Sequence, residues 1–206
     1  MANTDFTKAD STLLEVKTTY QGFFELRKLQ LKHRLFAGGW SKTFSRELFV
    51  RGLAVGVLAY DPWLDKLVMV EQFRVGALND PVSPWLLEVI AGMIDLNEEP
   101  EDVAFRETQE EAGLDIIHLE HLYTYYSSPG GSDEQITLYL GIVDSSLVKT
   151  GDIGGLASEN EDLRITVISR EAALKESNNG KAANSMSIIA LQWLAMNYQR
   201  LQAKYL

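Results

Sequence analysis

The segment 92–114, GMIDLNEEPEDVAFRETQEEAGL, constrains this 206-residue chain more than any other stretch. Seven of the residues from Glu98 to Glu111 are acidic and one, Arg106, is basic, so the window alone is net −6 in a chain of net charge −10. It nevertheless carries helix punctuation. Asn97 is suited to cap, Pro100 to the first turn, and Glu98, Glu99, Glu101 and Asp102 to the positive end of the helix dipole, while Gly113 is a stop. The pattern predicts a helix over about Glu99–Ala112. On a wheel of about 100° per residue, Glu107, Glu110, Glu111 and Leu114 all fall within about 80° of Val103. Like charges at such spacings cost a helix roughly 0.2–0.5 kcal/mol per pair. A stripe that also holds Val and Leu faces the body of a protein, where carboxylates persist when paired or bound to a cation. Periodicity alone leaves two readings open: a solvated acidic face, or a site for a hard divalent cation that takes carboxylate oxygens.

The intervals separate them. Gly92, Glu98, Arg106-Glu107, Glu110-Glu111, Ala112, Gly113 and Leu114, so spaced, resemble the Nudix box of the Nudix hydrolase superfamily. One position departs: Thr108 stands where an aliphatic residue is usual, and a Leu there should change activity little. The resemblance implies that Glu107, Glu110 and Glu111 hold metal, that the Ala91 carbonyl adds a ligand, and that Glu111 is essential to catalysis. It casts Glu98 and Arg106 as an ion pair bracing loop and helix, and Gly92 and Gly113 as structural. The implied cofactor is Mg²⁺, with Mn²⁺ as a substitute, at two or three ions per site.

Composition excludes several alternatives. There is no cysteine, so disulfides, thiolate catalysis and cysteine-ligated zinc are ruled out. The three histidines, His33, His118 and His121, lack HExxH spacing. No apolar run reaches the ~18 residues of a membrane span, and MANTDFTKAD lacks a signal-peptide core. The expectation is a cytoplasmic protein without a membrane partner. A pI of about 4.8 argues against nucleic acid as a partner. An acidic enzyme still binds a phosphorylated small molecule when metals supply positive charge.

Along the chain, residues 1–12 read as loosely ordered. Strands are expected at Leu13–Thr19 and Phe23–Leu35, split by Tyr20-Gln21-Gly22, and at Thr43–Val50 after the turn Ala37-Gly38-Gly39. Leu53–Tyr60 and Lys66–Phe73 read as a hairpin around Asp61-Pro62-Trp63, and Trp85–Ile90 as one short buried strand entering the box. Ile116–Tyr126, Gln135–Val143 and Leu163–Ser169 are further strands, with a glycine-bearing loop over about Ser145–Glu161. Two helices close the chain, the last over about Ala183–Lys204. The fold expected is α+β, an αβα sandwich with a mixed sheet and N-terminal accessory strands, which is also the fold that the resemblance implies. Residues 1–45 are taken as a β-region for dimerisation and 46–206 as the hydrolase domain.

Within the superfamily the chain is similar to the bacterial ADP-ribose pyrophosphatase branch. Pro129 lies 16 residues beyond Gly113, as in that branch. Ser158-Glu159-Asn160-Glu161-Asp162 resembles its catalytic loop, which implies Glu159 as base and Glu161 at a metal. Ser45-Arg46-Glu47 and Glu71-Gln72-Phe73-Arg74 match substrate-binding stretches, and GFF at Gly22–Phe24 and SPWLLE at Ser83–Glu88 extend the likeness. The resemblance implies that Arg46 and Arg74 meet phosphate or ribose, that Phe23 stacks on adenine and Glu47 accepts from its amine, and that Ser128 and Gly130 border the substrate beside Pro129. The implied reaction is Mg²⁺-dependent hydrolysis of ADP-ribose to AMP and ribose 5-phosphate in a homodimer built through the N-terminal strands. Another nucleotide sugar such as GDP-mannose fits the same box. A non-catalytic ligand sensor is the rival of another class, although no box acid is missing.

Overall fold

The computed structural model describes residues 6–156 and 161–206, and these divide into two compact units. The first takes the chain up to Gly52 together with Tyr126–Gln135, and the second takes Leu53–Tyr125 and Ile136–Leu206.

The first unit is a three-stranded antiparallel sheet of β1 (Ser11–Gln21), β2 (Glu25–His33) and β3 (Phe44–Val50), in that order. β2 is shorter than the run Phe23–Leu35. Phe23 and Phe24 belong to the turn, where Gly22 N donates to the Phe24 carbonyl and the two rings meet edge-on. Residues 126–135 join this unit through Phe49 N, which donates to Gly131 O at 2.8 Å, and through an Arg51–Glu134 ion pair.

The second unit is built on an eight-stranded sheet. β4 (Leu53–Asp61) and β5 (Lys66–Phe73) pair antiparallel only near their hairpin, from Ala59↔Val68 to Asp61↔Lys66. Beyond that they part, and β6 (Trp85–Glu88) pairs with β5 while β7 (Ile90–Met93) pairs with β4. The single strand expected over Trp85–Ile90 is therefore two. The break falls at Val89, whose N–H leaves the ladder for the buried hydroxyl of Ser187, 3.0 Å away. β8 (His118–Tyr126), β9 (Gln135–Ile142), β10 (Ile153–Gly154) and β11 (Leu163–Ser169) complete the sheet in the order β10-β11-β5-β4-β9-β8.

Alternation along these strands supplies two cores. Val55, Val57, Ala59, Val68, Val70 and Ile90 pack with Val103, Ala104 and Ala112 of α1 (Pro100–Ala112). Leu58, Tyr60, Leu67 and Met69 pack instead with α2 (Arg170–Asn179) and α3 (Ser185–Tyr205). Strands buried on both faces read as continuous apolar runs, and LAVGVLAY of β4 is such a run. The result is the expected αβα layering. Among the described residues, no helix is long and apolar enough to cross a membrane.

Helix α1 begins one residue later than expected and is not capped by Asn97. Asn97 takes a left-handed φ of 72°, which Asn tolerates in turns, and Glu99 is the N-cap without a side-chain bond. Pro100 opens the first turn and Gly113, at φ 65°, ends the helix. Thr108 is fully buried, and its hydroxyl donates to the Ala104 carbonyl at 2.8 Å. Thr108→Leu is therefore expected to lower the melting temperature, because overpacking costs about 1–3 kcal/mol. The carboxylates lie outside that contact, so kcat should hold. A melt and an assay on the same preparation check both halves.

Candidate active site

The loop before α1 and the first turns of the helix form one braced unit. Asp95 N donates to Glu98 Oε2 at 3.0 Å, and Arg106 donates through Nε to Glu98 Oε1 at 3.1 Å. Arg106 Nη1 also reaches Glu107 Oε1 at 2.8 Å and Glu110 Oε2 at 3.0 Å. One guanidinium thus ties the loop carboxylate to two carboxylates of the helix. The Asp95 N–H and then Arg106 hold the Glu98 carboxyl below its usual range. Burial works against the Arg106 charge, but Glu98, Glu107 and Glu110 outweigh it and raise that pKa.

Glu107 and Glu111 point inward, at 8% and 2% exposure, while Glu110 is half-buried. Glu107 lies against Gly92 of β7. A Cβ at Gly92 would overlap the Glu107 carboxylate and stand 2.6 Å from its Cγ. Glu111 Oε2 accepts from Ala91 N at 3.2 Å. Burial raises the Glu107 carboxyl, and Arg106 opposes it. Burial raises Glu111 further, with the Glu107 charge adding to it and the Ala91 N–H only partly offsetting it.

Two other elements bring charge to the cluster. Gly155 N donates to Glu110 O at 3.2 Å, and a Cβ at Gly154 would overlap the backbone of Glu111, so β10 lies directly on the end of α1. Beyond it, Glu161 Oε2 accepts from Leu156 N at 3.4 Å, and its charge raises both Glu107 and Glu111. Just past β5 comes Arg74, which lowers the Glu111 pKa and forms an ion pair with Glu88 at 2.7 Å. Glu159 lies outside the described residues.

The model of the NUDIX domain matches residues 50–187. The chain belongs to the Nudix family. Over 203 residues it is 47% identical to an ADP-ribose pyrophosphatase of Haemophilus influenzae, covering 97% of this chain and 93% of that protein. It is 30% identical over 191 residues to a GDP-mannose pyrophosphatase of Salmonella arizonae, covering 91% and 96%. Among solved structures it resembles an ADP compounds hydrolase at TM-score 0.68 and 18% identity, covering 94% of this chain and 98% of that one, a likeness of fold.

The donors of this Nudix helix suit a hard cation. Among the described residues no three acidic or histidine side chains already surround one cation position. Arg106 Nη1 stands between Glu107 and Glu110, donating to both. Carboxylate oxygens from one helical turn, beside the Ala91 backbone and a glycine cradle, are the ligand chemistry that Mg²⁺ or Mn²⁺ takes.

The other candidate residues lie in the first compact unit. Arg46 is exposed, stacks its guanidinium 4.6 Å from the Phe44 ring and donates to Ser45 O. Glu47 is exposed on β3 opposite Lys28, and Phe23 is 87% exposed. Ser128 O accepts from Gly131 N and Ser132 N, closing the turn that holds Pro129 and Gly130. Sequence reasoning gave no role to Glu88, which is 5% exposed and accepts from Arg74 and Asn184. Its signal was an acid ending the apolar run WLLE of a buried strand.

Proposed function

We propose that this Nudix protein hydrolyses the diphosphate of ADP-ribose to AMP and ribose 5-phosphate with Mg²⁺. The observation that carries the chemistry is the pair of buried carboxylates, Glu107 and Glu111, set beside Glu110 on one turn of the Nudix helix. The 47% identity over nearly the whole chain to an ADP-ribose pyrophosphatase supports the substrate. When bound, two or three divalent ions neutralise diphosphate charge and lower the pKa of a water.

The chain's own residues supply position and charge. Glu107, Glu110 and Glu111 present oxygens, with the Ala91 carbonyl and Glu161 as further donors. Arg106 must release Glu107 and Glu110 for this, and Glu98 keeps it in place when it does. Arg74 offers the planar fork of donors that suits a phosphate, and Arg46 has the same chemistry. Phe23 is exposed enough to stack on adenine, and Glu47 accepts from its amine. Ser128 and Gly130 border the substrate at the Pro129 turn. Glu159 takes the proton of the attacking water. Glu159→Gln should slow kcat by about 10²-fold, at the low end of general-base losses, and leave Mg²⁺ affinity intact. Calorimetric Mg²⁺ titration beside single-turnover kinetics checks that split.

Residues 1–45 serve as the dimerisation region in this reading, and 46–206 as the hydrolase domain. Leu13, Leu14, Val16 and Tyr20 of β1, with Phe23 and Phe36, are exposed apolar side chains that a second copy would cover. The protein acts in the cytoplasm. A panel of ADP-ribose, GDP-mannose and other nucleotide sugars with Mg²⁺, in ¹⁸O-labelled water, tests the function and locates the attacked phosphorus. Preference for GDP-mannose would replace the substrate and keep the chemistry. Binding of ADP-ribose with Mg²⁺ but no cleavage would leave a ligand sensor.

A further inference from the structure

The start of α3 and the connection before it grip β6 and the residue after it. Leu87 N donates to Lys181 O at 3.0 Å, Asn184 Nδ2 donates to Glu88 Oε1 at 2.7 Å, and Val89 N donates to Ser187 Oγ at 3.0 Å. The other atom of the same amide, Asn184 Oδ1, accepts from Ser187 N at 2.8 Å and caps α3. Glu88 is therefore held from behind by a helix cap. Its second oxygen, Oε2, accepts from Arg74 Nε at 2.7 Å and forms an ion pair with Nη2 at 2.7 Å.

A guanidinium has five N–H donors. Glu88 faces the Nε–Nη2 edge of Arg74, takes the Nε–H, and leaves both hydrogens of Nη1. The Arg74 side chain is 44% exposed, so those remaining donors are open to a ligand. An arginine of that exposure would otherwise lose rotamer freedom on meeting its ligand, and holding the fork beforehand removes that cost. The direction is also given: three residues beyond Glu88, Ala91 N donates to Glu111 Oε2 at 3.2 Å, so the segment that carries Glu88 runs directly to the helix carboxylates.

We infer that Glu88 is a positioning residue, fixed by Asn184, that aims the Arg74 guanidinium at the substrate diphosphate beside the helix carboxylates. The inference rests on the diphosphatase reading above. A merely structural ion pair would stabilise the fold without coupling to substrate. In the positioning role, the effect of Glu88 passes through Arg74 alone.

The test compares Glu88→Gln, Arg74→Ala, their double variant and Asn184→Ser with the wild type. Ser preserves a good helix cap but has no amide donor for Glu88. Each is measured for KM and kcat with ADP-ribose and Mg²⁺ and for ADP-ribose affinity by calorimetry, and those that keep Arg74 also for its Nε–H resonance. Glu88→Gln should raise KM and Kd about tenfold, a loss typical of one charge-assisted hydrogen bond, with kcat changed far less. It should add nothing once Arg74 is Ala. Asn184→Ser should raise KM in the same direction with kcat changed far less. The Arg74 Nε–H signal, protected in the wild type, should broaden in both variants. Penalties that multiply in the double variant, or an unaltered Nε–H signal in Glu88→Gln, overturn the inference. A wild type that binds ADP-ribose without cleaving it defeats the diphosphatase reading instead, and the cycle in Kd then decides this one. Affinity unchanged in Glu88→Gln overturns it in either case.

Discussion

Glu111→Gln is expected to lower kcat by about 10³-fold and, without divalent cations, to make the protein more stable than the wild type. The first half follows from the reaction. A metal's stabilisation of the reacting charge is worth several kcal/mol, and each 1.36 kcal/mol is about a factor of ten in rate. The second half follows from burial. Glu111 is 2% exposed, and burial and Glu107 raise its carboxyl well above the ordinary 4.5. The unfolded chain therefore loses that proton first as pH rises. Between the two pKa values the folded state binds more protons, so stability falls with rising pH across the window and stays reduced above it. Gln has the same shape, carries no charge at any pH and keeps an oxygen for the Ala91 N–H. Scanning calorimetry in EDTA should put the variant's melting temperature above the wild type's, with the gap closing as pH is lowered. Added Mg²⁺ should raise the wild type and leave the variant unmoved. A variant that melts lower in EDTA and still turns over would remove Glu111 from the site.

That tension between stability and function was partly legible in the chain. Glu107, Glu110 and Glu111 share a stripe with Val103 and Leu114, and helix periodicity is local, so the inward stripe could be read directly. So could the alternation that buries β4 and β5 on both faces, because it needs only neighbours in sequence. What failed depended on distant partners. The break between β6 and β7 is set by Ser187, 98 residues after Val89, and no local pattern announces it. Asn97 looked like a cap because Asn caps well, but it is equally at ease at positive φ, and the turn used that property instead. Glu88 lay inside the strand expected over Trp85–Ile90 and carried no role there. Its meaning comes from Arg74 and Asn184, which only the fold brings to it. Thr108 read as a tolerated exception, and the structure puts it in a filled slot where size matters more than polarity.

Gly92→Ala tests the cradle with a single methyl group. Gly92 sits in β7 opposite Val55 and takes no left-handed φ, so Ala is acceptable to the backbone itself. The obstacle is Glu107, whose carboxylate and Cγ occupy the space the methyl would need. These atoms are the far end of a flexible side chain, so they can swing away while β7 and α1 stay in place. The carboxylate then leaves both Arg106 Nη1 and the cation position. The expected result is a folded protein with kcat reduced about 10³-fold, the loss assigned above to a metal-holding carboxylate. Mg²⁺ affinity should fall with it, read by calorimetric titration. Because the methyl acts by evicting Glu107, adding Glu107→Ala to Gly92→Ala should cost almost nothing more, the non-additivity of groups in direct contact. If the two losses multiply instead, the glycine acts through the backbone, and Glu107 does not hold the cation from where it lies.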